Sequence, residues 1–283
     1  MLKTALWWTT MACNFKCAYC WQEQHQRHGE LLPVKFIDHD KWVNAWKRLS
    51  PNVLDITGGE PFLLPNFVQI VSSIASHSKI AITTNLSHSL DEFINEVDPS
   101  RVVVITCSYH PSEYHKSSAI TGDSFLGRCL LLKNSGYPVN VNCVAWPDQM
   151  YLIPSVIATF KNNGLRIHID PYSPSTHHRF SYSQKQLEYL RPYVVGNRSK
   201  AIAGLITDKP VRCSGGIDHI TVWQDGTAWR CLRDMESKIN PLGNIFDESF
   251  ALLDSPLACF VRNKCAGCDM DKVTVEEIVN VDA

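Results

Sequence analysis

Over the first two-thirds of the chain, six segments patterned as strands alternate with segments of helical spacing, and this order restricts the fold more than any other feature. The strand-like stretches are 5–12, 53–57, 79–85, 101–109, 137–145 and 165–172. The helix-like stretches are 38–49, 66–77, 90–97, 125–135, 152–163 and 183–194, with Gly136 and Gly164 placed to close two of them. Strands separated by helices pair parallel to their predecessors, because the helix returns the chain to its starting edge. The expectation is an α/β fold whose six units fall short of the eight of a closed barrel, leaving an open sheet or a partial (β/α)6 TIM-like barrel. In either case chemistry belongs at the C-terminal ends of the strands.

The rhythm changes near residue 205. Residues 219–232 read as a hairpin turning at Asp225-Gly226, followed by a short helix near 247–253 and a cysteine-rich end. This divides the chain into 1–205 and a small α+β module, 206–283. With 27 basic and 28 acidic residues, the chain carries no electrostatic footprint for nucleic acid or an anionic membrane. No run of about 18 apolar residues occurs, so no membrane span is expected. The start "MLKTALWWTTMAC" mimics a lipoprotein signal, but threonines break its apolar stretch and it reads better as a strand. A cytoplasmic location follows as an expectation. An odd eleven cysteines, clustered at the two ends, suit metal binding rather than a disulfide framework.

Cys13, Cys17 and Cys20 form C-x3-C-x2-C at the end of the first strand. Three thiolates leave a four-coordinate site one ligand short; zinc would need His25 or His28 as the fourth. One strand later stands "TGGEP", Thr57–Pro61: two glycines that allow a close backbone approach, and the Glu60 carboxylate. This spacing after a first strand, the aromatic Tyr19 before the third cysteine, and GGEP at strand two together resemble the radical S-adenosylmethionine (SAM) superfamily. The resemblance implies a 4Fe–4S cluster on Cys13, Cys17 and Cys20, with SAM on its open iron. It also implies SAM contacts from Tyr19, Gly58, Gly59, Glu60, Asn85 of "TTN", Ser108 of "SYHP" and Asn142. Each of these residues also has an ordinary reading as a cap or turn residue. His168 and Asp170 share one face of the sixth strand, as a structural pair or a substrate contact.

Cys213, twelve residues, Gly226, four residues and Cys231, then Cys265-x2-Cys268, are similar to the twitch and SPASM modules of that superfamily. The resemblance implies an auxiliary 4Fe–4S cluster on Cys213, Cys231, Cys265 and Cys268; four cysteines also suit a zinc ribbon. Five cysteines from 213 onward are too few for the two clusters of a full SPASM module, which favours a twitch-type one. Cys259 is the fifth: a replacement ligand, a catalytic hydrogen-atom donor, or packing. Cys107, Cys129 and Cys143 read as core, as do Trp7, Trp42 and Trp46, while Trp8 could reach a cavity.

The resemblance implies an enzyme that cleaves SAM to a 5′-deoxyadenosyl radical, with an electron donor such as flavodoxin or ferredoxin. Its short length and twitch-like end resemble the alcohol dehydrogenases of aminoglycoside pathways. A small polar natural-product substrate, sugar or aminocyclitol-like, is then oxidised or epimerised. A peptide maturase is the alternative, though a first strand starting almost at Met1 leaves no room for a winged peptide-recognition domain. A non-catalytic iron–sulfur or zinc scaffold is the third reading.

Overall fold

The computed structural model describes residues 2–20, 36–114, 122–175, 178–205, 211–259, 273 and 275–277. Six strands, β1 (Thr4–Trp8), β2 (Val53–Thr57), β3 (Lys79–Thr84), β4 (Val102–Tyr109), β5 (Val139–Ala145) and β6 (Arg166–Pro171), alternate with helices. These are α1 (His39–Leu49), α2 (Phe67–Ala75), α3 (Asp91–Glu96), α4 (Pro111–Tyr114), α5 (Gly122–Asn134), α6 (Ile153–Asn162), α7 (Gln184–Leu190) and α8 (Asn197–Ile202). Neighbouring strands from β1 to β6 pair parallel, as expected. Among the described residues no pairing closes β6 onto the far edge, so the sheet is a partial barrel.

The helices form because each presents an apolar stripe to the sheet. In α1, Asp38 caps the first turn by accepting from the Asp40 N–H, and Ser50 ends the helix in the left-handed region. Its buried Trp42, Ala45 and Trp46 recur at helical spacing, and both tryptophans pack on Trp7 of β1, with centroids 4.6 and 5.7 Å away. Alternation along β4 and β5 buries Ile105, Cys107, Val141, Cys143 and Ala145 under the helices. Cys129 is buried in the same layer, so the core reading of these three cysteines holds.

Beyond residue 205 come β7 (Val211–Cys213), β8 (His219–Val222), β9 (Thr227–Trp229), α9 (Leu232–Ser237), β10 (Gly243–Asn244), β11 (Leu257–Cys259) and β12 (Val275–Glu277). The expected hairpin is β8–β9, antiparallel and turning at Gly226. There φ is 86° and any Cβ would lie 2.3 Å from the Phe246 ring, so only glycine fits. What the sequence did not suggest is its place. β8 lies parallel to β1 and, with β9 and β10, extends the barrel sheet past its first strand. Strands β11, β7 and β12 form a separate three-stranded sheet.

The helix expected over 247–253 is absent. The Ala251 N–H bonds Leu242 O and the Leu253 N–H bonds Gly216 O, so the donors a helix would turn inward are used by distant segments. Ser249 N–H instead bonds the Asp247 side chain in a local turn.

Candidate active site

The chain leaving β1 carries the three cysteines along the C-terminal rim of the sheet. The loop's start is bonded on both sides. Thr9 N–H donates to Thr57 O, Gly59 N–H to Thr10 O at 2.7 Å, and Glu60 N–H to Ala12 O at 2.9 Å. From the other side, Gln224 of the hairpin accepts from Met11 N–H at 2.9 Å. The glycines of GGEP serve this contact: a Cβ on Gly59 would sit 2.0 Å from Ala12 O. The close approach they permit is of the chain to itself.

Cys17 is buried and Cys13 and Cys20 are half-buried. Burial pushes the Cys13 thiol up to about 12, with Glu60 and Cys20 adding to it. Cys17 is raised further by burial, by Glu113 and by the other two cysteines. The Cys13 and Cys17 thiols therefore hold their protons at neutral pH, and both feel Cys20. Among the described residues no three Cys, His, Asp or Glu side chains converge tightly enough to close around an ion. An iron cluster held here would supply the positive charge that favours the thiolate form of these cysteines. Three soft donors on one short loop fit an iron–sulfur cluster and suit no hard cation.

Glu60 is 0% exposed. Its Oε1 accepts from Thr84 Oγ1 at 2.7 Å and from Phe62 N–H at 3.2 Å, and its Oε2 accepts from Asn85 N–H at 2.7 Å. Burial nevertheless lifts its pKa to about 7, because three neutral donors do not replace bulk hydration. Asn85 binds the cysteine loop with its side chain: Nδ2 donates to Asn14 Oδ1 at 3.0 Å and lies 3.9 Å from Cys13 Sγ. GGEP, TTN and the cysteine loop are thus one hydrogen-bonded unit at the ends of three adjacent strands.

Strands and helices enclose a cavity of about 800 Å³. Leu6, Asp55, Ala81 and Val104 line it in one row across β1–β4, and Trp8, Thr57, Thr83, Thr106 and Asn140 line it above them. Tyr19 and Asn142 also line it, whereas Asn85 and Ser108 do not. Ser108 stands beside Asn142 in the β4–β5 register, and its carbonyl accepts from the Tyr114 hydroxyl. Tyr109 turns away into an aromatic cluster with Tyr114, Phe125 and Phe160.

His168 and Asp170 line the cavity, the first of the two readings of their shared face being structural and the second a wall for substrate. His168 Nε2 lies 3.0 Å from Asp170 Oδ1 and 2.9 Å from Ser199 Oγ of α8. Burial pushes Asp170 up, but the bond to His168 and the Arg198 guanidinium outweigh it and hold the carboxyl below its usual range. His168 is raised by its bond to Asp170, against desolvation.

At the far end of the chain, Cys213 closes β7 and Cys231 precedes α9. Cys259 ends β11 opposite Val211, away from the cavity lining. Cys231 and Cys259 both act on Arg230. Cys265, Cys268, His25 and His28 lie outside the described residues. Sequence reasoning missed Asp55, whose signal was a lone carboxylate between Leu54 and Ile56. It also missed Arg198, Ser199 and Glu113, which carry no local signal because their partners are distant in sequence, and it gave Thr84 of TTN no role of its own.

Residues 9–151 match the Radical SAM superfamily. Over 232 residues, 77% of this chain and 65% of the other, the chain is 25% identical to a GTP 3′,8-cyclase of Brucella canis. It is 39% identical to a GTP 3′,8-cyclase of Psychromonas ingrahamii over 79 residues, 27% of this chain and 23% of the other. The chain thus spans less than two thirds of the length of these relatives. Among solved structures, Streptococcus suis SuiB bound to S-adenosylmethionine superposes with a TM-score of 0.67 at 13% identity, over 87% of this chain and 64% of that one. That likeness concerns the fold.

Proposed function

The chain belongs to the radical SAM superfamily, and from that premise we propose that it takes a hydrogen atom from a small polar, sugar- or aminocyclitol-like substrate in order to oxidise it. The observation that carries this reading is a single cavity lined both by Tyr19, next to Cys20, and by Leu232, next to Cys231. A substrate held there touches residues adjacent to Cys20 and to Cys231. When bound, the 4Fe–4S cluster and SAM supply a 5′-deoxyadenosyl radical that takes the hydrogen atom. Cys13, Cys17 and Cys20 would hold that cluster. Gly58, Gly59 and Glu60 shape the turn beside it, and Tyr19, Asn85, Ser108 and Asn142 are the residues we assign to SAM, of which Tyr19 and Asn142 line the cavity. Asp55, His168, Asp170 and Ser199 give the wall hydroxyl and ammonium partners, which supports a polar substrate. The barrel walls exclude water and fix the C–H to be attacked.

Cys213, Cys231, Cys265 and Cys268 would hold an auxiliary 4Fe–4S cluster, the electron acceptor for an oxidation, in a module running from 206 to 283. Cys259, outside the cavity lining, favours oxidation over epimerisation by a returned hydrogen atom. The test is anaerobic incubation of iron-reconstituted protein with SAM and dithionite. 5′-Deoxyadenosine is expected from the wild type and none from Cys17→Ala; equal yields would defeat the assignment of the loop. Adding aminocyclitols, amino sugars, GTP or short peptides in turn then identifies the class. A product from peptide alone would replace the small-substrate reading with the maturase one.

A further inference from the structure

The cysteine loop needs a scaffold, since most of its own backbone donors are not used within it. Its start is held by GGEP and Gln224, and Asn14 by Asn85 and Ser87. The part that carries Cys17 and Cys20 has a different support, the turn that follows β4. Glu113, 4% exposed, accepts from the Lys16 N–H at 3.1 Å through Oε2. His110 Nδ1 is hydrogen-bonded to Tyr19 Oη at 2.9 Å, and the two rings stack with centroids 5.9 Å apart. Tyr19 itself stands between Cys17 and Cys20 in the loop. Phe15 completes the contact by meeting both His110 and Tyr114 edge-on. The turn keeps its own shape because the His110 N–H donates to Tyr114 Oη at 3.0 Å.

We propose that His110 and Glu113 are positioning residues for the cluster, His110 acting through Tyr19 on the Cys17–Cys20 span and Glu113 through the Lys16 amide. The inference rests on the reading of Cys13, Cys17 and Cys20 as cluster ligands. Two of the three ligands flank Lys16, and the other gap, between Cys17 and Cys20, contains Tyr19. The turn therefore grips both inter-ligand spans. Groups that orient ligands in this way tune metal affinity by roughly 10- to 100-fold. Hydrogen bonds to ligand sulfur also set the electronic state of an iron–sulfur cluster.

The test compares wild type with Glu113→Ala, Glu113→Gln and His110→Phe. Glutamine keeps a carbonyl acceptor for Lys16, and phenylalanine keeps the stacked ring but removes the partner of Tyr19. Each protein is reconstituted with ferrous iron and sulfide. Iron retained against a chelator is counted above that of a variant with Cys13, Cys17 and Cys20 all changed to alanine. The electron paramagnetic resonance spectrum of the dithionite-reduced protein is recorded alongside. Glu113→Ala and His110→Phe should lose iron at roughly 10- to 100-fold lower chelator concentration and show altered g values. Glu113→Gln should restore most of both. Variants that differ from wild type only in the thermal midpoint of the iron-free protein, with equal chelator resistance and spectra, would overturn the proposal. A wild type that retains no iron above the triple variant would overturn the ligand reading itself, and the inference with it.

Discussion

Glu60 offers a test of the site that needs no cofactor. Its carboxyl is wholly buried, and its pKa rises from 4.5 in the unfolded chain to about 7 in the folded one. Between those values the unfolded chain binds fewer protons, so stability falls as pH rises. The contribution is fully present below pH 4.5 and gone above about pH 7. The displacement corresponds to about 3 kcal/mol. Glu60→Gln removes the titration. The variant also turns an amide N–H₂ toward the Asn85 or Thr84 donor, but that cost is independent of pH and cancels in the slope. Cys13, raised to about 12, does not titrate in this range. Urea unfolding of the iron-free protein, followed by tryptophan fluorescence under reducing conditions, gives the comparison at several pH values. Wild type should lose about 3 kcal/mol relative to Glu60→Gln between pH 4.5 and 7.5. A flat difference would refute the desolvation argument. A difference of opposite slope would mean that the donors from Thr84, Phe62 and Asn85 outweigh burial and hold the carboxylate ionised.

Gly59→Ala forces a Cβ to within 2.0 Å of Ala12 O, a backbone atom itself held by the Glu60 N–H. The thermal midpoint should fall by the equivalent of about 1–3 kcal/mol, with weaker iron uptake; unchanged values in calorimetry and iron assay would refute the close-packing account. Asp170→Asn should lower the His168 pKa, because the bond to Asp170 is its main support; nuclear magnetic resonance titration of the ring protons reads this directly, and an unmoved midpoint would refute it. Cys268→Ala should reduce reconstituted iron from about eight to about four per chain while sparing SAM cleavage and blocking product formation; undiminished product would remove the auxiliary acceptor.

The alternation of strand and helix was legible because each unit pairs with its neighbour, and periodicity is a local signal. Element ends were less so. The first strand was expected to reach residue 12 but stops at Trp8, because Thr9, Thr10 and Ala12 bond the GGEP turn instead of a ladder. The helix over 247–253 failed for a similar reason, its amides being taken by Leu242 and Gly216. At the site, the cysteines and GGEP were visible as motifs, but what the motifs touch was not. That Thr84 and Asn85, at the end of a strand beginning about twenty residues later, donate to Glu60 could not be seen in the GGEP motif. Glu113 sits in an unremarkable four-residue helix, and only the fold brings it to Lys16, almost a hundred residues upstream.

The parallel pairing of β8 with β1 has a consequence for how the two cysteine sets relate. Because β8 runs in the same direction as β1, its turn emerges at the same rim as the cysteine loop. There Trp223 packs on Trp8 with centroids 5.7 Å apart, and Gln224 holds the Met11 amide. The return strand β9 then carries the chain back along the sheet to Cys231, and Leu232 enters the wall of the cavity. One hairpin therefore supports the loop of Cys13, Cys17 and Cys20 at its tip and leads directly to Cys231 at its base. A loop fixed at its tip and a cavity wall fixed at its base are set by the same two strands. The spacing between Gly226 and Cys231 thus works as a distance along β9, and lengthening or shortening it would move Leu232 and Cys231 relative to the cavity while leaving Cys13, Cys17 and Cys20 in place.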